Sequence, residues 1–135
     1  MTAEEIARMM DISAVQAQST RQDIDACCEL AAERGCAAVF CLPAHVPYLR
    51  ARLDALGLKV PMASVSGFPG GAETPRIKAR TARELVGYGC DEVDMVNNIA
   101  WLKAGEKAAY VDDVAGVVAA AGGFLYGRLG KEVQS

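Results

Sequence analysis

The sequence is poor in the residues that announce several common chemistries. It holds a single histidine, His45, so a cysteine nucleophile would have only one possible imidazole partner. It has no basic cluster: 14 Lys+Arg stand against 17 Asp+Glu for a net charge of −3, which excludes the electrostatic footprint of a nucleic-acid partner. No apolar run approaches membrane-spanning length, and the start, MTAEEIARMM, lacks a basic segment leading into an apolar stretch and a small-residue cleavage site. A cytoplasmic protein with no membrane partner is expected. The five cysteines, Cys27, Cys28, Cys36, Cys41 and Cys90, are odd in number. Three of them lie in apolar, buried-looking segments and Cys27-Cys28 read as small apolar filler on a helix, so reduced thiols rather than a disulfide framework are expected. Cys36, Cys41 and His45 make a poor metal site, because strand alternation points the two thiols to opposite faces.

What the sequence does contain is a core. With 135 residues, 52% hydrophobic and 23% charged, it suits one compact domain and is short for two. Strand and helix signals alternate along it. The run ARMMDIS is a strand candidate, followed by the capping pair Ser19-Thr20, then Ile24, Cys27, Cys28 and Ala31 at helical spacing, with Gly35 as a stop. Residues 36–42 form a second strand ended by Pro43, and Val46, Leu49, Leu53 and Leu56 mark a helix closed by Gly57. Residues 58–66 form a third strand, weakened by Pro61. The turn Gly67-Phe68-Pro69-Gly70-Gly71 leads to the Thr74-Pro75 helix start and a stripe of Ile77, Thr81, Leu85 and Tyr88. Residues 92–97 form a fourth strand, followed by a helix carrying Tyr110, Val111, Val114, Val117 and Val118. Four βα units with nearly continuous apolar strands define an α/β chain with a parallel sheet, either open and doubly wound or closed as a barrel.

Within that pattern, Asp94 is out of place. It interrupts Val93 and Met95 in the fourth strand, where an ionised carboxylate without partners would be costly. Period-two alternation groups it with Glu92, Val96 and Asn98 on one face. In the first strand the same parity groups Asp11 with Ser13 near the carboxyl end, the end at which parallel α/β folds build their sites. The alternative is that each aspartate caps the helix or turn that follows its strand. The 67–71 turn could be imagined as a phosphate cradle, but it lacks a P-loop lysine and the dinucleotide spacing. It reads better as a strand-to-helix turn, and Trp101 reads as a lid over the helix layer.

The stretch Gly89-Cys90-Asp91-Glu92-Val93-Asp94-Met95-Val96-Asn97-Asn98-Ile99 with Leu102-Lys103-Ala104-Gly105 resembles the fourth strand and loop of the deoxyribose-phosphate aldolase family. Further matches follow in order: Met10-Asp11-Ile12-Ser13; Phe40-Cys41-Leu42-Pro43 with Val46-Pro47; and Gly67 to Gly71 with Thr74 and Lys78. Asn97 and Ala100 depart from the aliphatic residue and glycine usual there. The resemblance implies the first half, about four βα units, of a TIM (β/α)8 barrel over residues 1–123. It implies a class I aldolase without metal or other cofactor, joining acetaldehyde to glyceraldehyde 3-phosphate to give 2-deoxyribose 5-phosphate. It implies catalytic roles for Asp94, in the proton relay around a Schiff-base lysine, and for Asp11 in the same polar cluster. It makes Ser13 and Asn98 substrate-side residues.

The same resemblance implies that the Schiff-base lysine, a second essential lysine and the phosphate loops belong to strands six to eight, and a complete barrel takes roughly 250 residues. None of these is matched. Lys59 reads as lying at the wrong end of its strand, Lys78 and Lys107 on helix surfaces, Lys103 in a loop and Lys131 in the tail. Residues 124–135, FLYGRLGKEVQS, diverge from the family and read either as a tail or as a further strand. Four strands would leave two sheet edges and an inner face of Ala38, Phe40, Leu42, Met62 and Val96 open, which invites a homo-oligomer through those edges. The chain is therefore either an aldolase lacking its amine half or a noncatalytic assembly or binding module, and the partner it would share with its family is a small sugar phosphate or aldehyde.

Overall fold

The computed structural model describes residues 1–122. The questions raised by residues 124–135 fall outside the described residues. The elements are α1 (Ala3–Ala7), β1 (Asp11–Ala14), α2 (Arg21–Arg34), β2 (Ala38–Cys41), a 3-10 turn (Pro43–His45), α3 (Val46–Ala55), β3 (Met62–Ser66), α4 (Pro75–Gly87), β4 (Glu92–Met95), α5 (Ile99–Ala104) and α6 (Lys107–Ala120). The strands form one parallel sheet in the order β1-β2-β3-β4. All four βα repeats are therefore present. β2 ends before Pro43 and β3 begins after Pro61, where a proline without an N–H interrupts the ladder.

The chain resolves into two compact units: Met1–Ser64 with Tyr88–Asp91, and Val65–Gly87 with the described residues from Glu92 onward. In the first unit, α2 begins at a capping box. The Thr20 N–H donates to Asp23 Oδ2 at 2.6 Å, and the Asp23 N–H donates back to Thr20 Oγ1 at 3.4 Å. These bonds satisfy donors that an α-helix start otherwise leaves orphaned. The first of them also holds the Asp23 carboxyl below its usual range. Ile24, Cys28 and Ala31 form the buried stripe of α2, while Val46, Leu49 and Leu53 form that of α3. Each fully buried aliphatic side chain contributes about 1.5–3 kcal/mol. Asp91 closes the unit: its N–H donates to the Met62 carbonyl at 2.8 Å, and its Oδ2 accepts from the Met62 N–H at 2.9 Å.

In-register partners of a parallel ladder point to the same side. Asp11 pairs with Ala38, Ser13 with Phe40, and Phe40 with Ala63, whereas Met62 pairs with Val39. Met62 therefore lies on the face opposite Ala38 and Phe40. This corrects its expected place on the inner face, and Ala63 stands there instead. Nor are Ala38 and Phe40 open to solvent: both are buried.

In the second unit the Thr74 hydroxyl accepts from the Ile77 N–H at 3.4 Å and Pro75 opens α4, as the Thr74-Pro75 start predicts. The buried stripe of α4 is Lys78, Ala82 and Leu85, of which only Leu85 belongs to the predicted one, and Ile77 and Tyr88 are exposed. On α6 the buried residues are Asp113 and Val117, while Val111 is exposed. On each helix a charged residue, Lys78 or Asp113, packs inward beside a predicted member of the stripe, Leu85 or Val117. α5 is a further departure, since Lys103 lies on this helix and not in a loop.

Candidate active site

In the first unit, β1 places Asp11 and Ser13 on one face, both exposed, with Ile12 half-buried and Ala14 buried on the other. Neither residue serves as the cap of α2, a role that Thr20 and Asp23 fill. Burial, followed by the influence of Asp11 and Cys27, pushes the Cys36 thiol up. The Cys41 and Cys90 thiols are pushed up to about 12, chiefly by burial, so neither supplies a thiolate nucleophile near neutral pH. All five cysteines are free. Among the described residues, no group of three or more His, Cys, Asp and Glu side chains is arranged to hold a metal ion.

In the second unit, Asp94 is half-buried on β4, with its Oδ1 shielded from solvent, and Val93 on the opposite face is 1% exposed. The α5 N-cap is Asn98, whose Oδ1 accepts from the Trp101 N–H at 3.1 Å. The N-cap of the helix that follows β4 is thus Asn98. Asn98 is buried by the same arrangement, while Trp101 is a half-buried member of α5.

The segment that follows Asp94 is held from several sides. The Val96 N–H donates to the Ser66 carbonyl at 2.9 Å, and Lys78 Nζ donates to the Val96 carbonyl at 3.0 Å. Lys78 Nζ also meets Asp113 Oδ2 at 2.6 Å, with the two side chains 0% and 1% exposed. This overturns the helix-surface placement of Lys78. A lysine is almost never fully buried unless paired, and here the partner comes from α6 and the backbone acceptor from beyond β4. Gly67 makes room for the amine's stem: a Cβ there would stand 3.0 Å from Lys78 Cε. Gly71, at φ +73°, lies so close to the Asn97 carbonyl that any side chain would collide with it.

Sequence reasoning missed Lys78 and Asp113 as buried groups, although a signal was present. Lys78 stands four residues before Ala82 and seven before Leu85, and Asp113 stands four before Val117. One acid and one base thus each head an otherwise small or apolar helical stripe. Lys59, Lys103 and Lys107 are exposed. An ammonium between a carboxylate and a carbonyl, as at Lys78, has no lone pair to offer a substrate carbonyl. No described lysine therefore has the setting of a Schiff-base amine.

No protein-family model matches the chain. Comparison with solved structures defines the class first: the fold is the first half of an aldolase TIM barrel. A Coccidioides immitis protein, provisionally described as a deoxyribose-phosphate aldolase, superposes with a TM-score of 0.87 at 28% identity, covering 94% of this chain and 50% of that one. The tetrameric deoxyribose phosphate aldolase of Aeropyrum pernix superposes with a TM-score of 0.81 at 24% identity, covering 93% and 53%, and supports the fold alone.

Sequence then narrows the class to one family. The deoxyribose-phosphate aldolase of Methanothermobacter thermautotrophicus is 40% identical over 121 residues, 90% of this chain and 53% of its own. That of Klebsiella pneumoniae is 40% identical over 121 residues, 89% of this chain and 49% of its own. The chain is homologous to the deoxyribose-phosphate aldolases over about nine-tenths of its length, and it spans about half the length of the curated relatives it matches.

Proposed function

We propose that this chain is the carboxylate-bearing half of a deoxyribose-phosphate aldolase-type lyase, acting on 2-deoxyribose 5-phosphate in the reversible cleavage to glyceraldehyde 3-phosphate and acetaldehyde. The observation that carries this reading is the 40% identity to enzymes of that name, together with a half-buried aspartate within β4, ahead of a helix whose N-cap is Asn98. In this reading Asp94 relays protons to and from a Schiff base, Asp11 supports it, and Ser13 and Asn98 lie on the substrate side. The amine comes from outside the described residues. A cytoplasmic location and self-association through the strand edges of β1 and β4 belong to the same proposal.

Complementation tests it. The chain is co-expressed with the remaining half of the Methanothermobacter barrel, and retro-aldol cleavage of 2-deoxyribose 5-phosphate is followed. Activity is expected in the mixture and in neither part alone. Asp94→Asn is expected to lower it by about 10²–10⁴-fold, the range of a general acid–base group, and Asp54→Asn to leave it unchanged. A second reading, a noncatalytic assembly or binding module, is favoured by one observation: no described lysine is placed for Schiff-base chemistry. A folded but inactive complex would support that reading and count against the lyase.

A further inference from the structure

The buried ion pair of the second unit is more than the helix packing it joins would require. Two helices can be packed by apolar side chains alone, and replacing a buried ion pair by well-packed hydrophobic residues is often neutral or stabilising. Here α4 and α6 carry Lys78 and Asp113 at 0% and 1% exposure, and the lysine makes one bond beyond the pair. Its Nζ reaches the carbonyl of Val96, 3.0 Å away. Val96 is two residues beyond Asp94 and follows the last residue of β4, where the regular ladder no longer fixes the backbone. Its N–H is anchored as well, on the Ser66 carbonyl at 2.9 Å, and Ser66 is tied to α4 through a 2.9 Å bond from its Oγ to the Lys78 carbonyl. The next carbonyl, that of Asn97, is packed against Gly71.

Both peptide groups after Met95 are therefore fixed by the β3–α4 segment, and Lys78 contributes at two points: its ammonium holds Val96, and its carbonyl holds Ser66. Asp113 in turn holds the ammonium. Without it, the amine would be a buried charge with a single carbonyl for company, which is costly.

We propose that Lys78 and Asp113 are positioning residues for the Asp94 carboxylate. The pair locks the Val96 peptide, and through it sets the depth and orientation of the side chain two residues earlier. The inference rests on the reading of Asp94 as a functional acid for its significance, but its test needs no catalysis. An inactive protein would leave the test intact, so the two can fail separately.

The test uses the 135-residue chain and carbon-detected NMR titration of the Asp94 carboxyl, with exposed Asp54 as reference. The variant is Lys78→Met/Asp113→Leu, which removes both charges together. A closely paired lysine and aspartate carry no net charge, so removing both disturbs the field at Asp94 less than removing either one, and amide exchange at Val96 reports placement independently of that field. The fold is verified by circular dichroism. The expected result is a displacement of the Asp94 titration midpoint by at least about 0.5 pH unit, no displacement at Asp54, and amide exchange at Val96 at least about tenfold faster. An Asp94 midpoint that stays within that limit in a folded variant would overturn the proposal and reduce the pair to helix packing. Should the double variant not fold, Lys78→Met/Asp113→Asn keeps the volume and polarity of the aspartate site, and the same two outcomes apply to it.

Discussion

The two compact units use charge in opposite ways. On the first, Asp25 of α2 sits among cations and a phenol at the surface. Tyr48 Oη donates to it at 2.9 Å, and Arg21 stacks over the Tyr48 ring at 4.8 Å from its centroid. Arg52 Nε lies 2.7 Å from Asp25 Oδ1 but off the line that a hydrogen bond needs. Both charged side chains are 32% exposed. On the second unit, Lys78 and Asp113 meet at nearly the same separation with no solvent at all. The distance is alike; the energetics are not. Surface pairs lose most of their Coulomb energy to water, whereas a buried partner, once deserted, keeps the full cost of its desolvation.

The largest effect expected from this contrast is in the single substitution Lys78→Met. It leaves Asp113 charged and buried, and urea unfolding should show a loss of about 3–5 kcal/mol. A loss below about 1 kcal/mol would mean that solvent reaches the pair and that the contrast between the units is false. Next comes Gly71→Ala, which forces a side chain into a left-handed backbone and onto the Asn97 carbonyl. A loss of about 1–3 kcal/mol is expected, whereas Gly57→Ala, with a left-handed backbone but open space, should cost less.

An alkaline titration sharpens the comparison from the first unit's side. Cys41 and Cys90 ionise at about 12 when folded, against 9.0 for an unperturbed thiol. Below pH 9 both states are protonated and stability is level. Between about 9 and 12 the unfolded chain binds fewer protons, so stability must fall as pH rises through that window. Thermal melts at pH 8, 10 and 11 should show the decline, and a flat profile would contradict the burial of these thiols. The smallest effect belongs to the surface cluster: a double-mutant cycle of Arg52→Met and Asp25→Asn should give a coupling of about 0.2–1 kcal/mol that shrinks with added salt.

The same contrast explains what could be read from the sequence. α2 was legible because its start and stop are local chemistry: Thr20 accepts from Asp23 within one turn, and Gly35 ends it. β4 and its aspartate were legible because strand parity and flanking residues agree on one pattern. The buried pair was not, since a lysine at position 78 looks like surface until α6 brings Asp113 to it from 35 residues away. Met62 was assigned the wrong face because its side depends on register with Val39, a property of two strands rather than one. The short helices carried weaker marks. α1 has a capping box from Thr2 to Glu5, and α5 begins at Asn98 and ends at Gly105, but neither is long enough to show a helical period.

The account assigns this chain carboxylates and denies its described residues the amine. The most direct test is borohydride reduction of the isolated chain with 2-deoxyribose 5-phosphate, mapped by peptide mass spectrometry. It predicts no adduct on Lys59, Lys78, Lys103 or Lys107 above that of the denatured control. A stoichiometric adduct on any of the four, and on Lys78 above all, would contradict it.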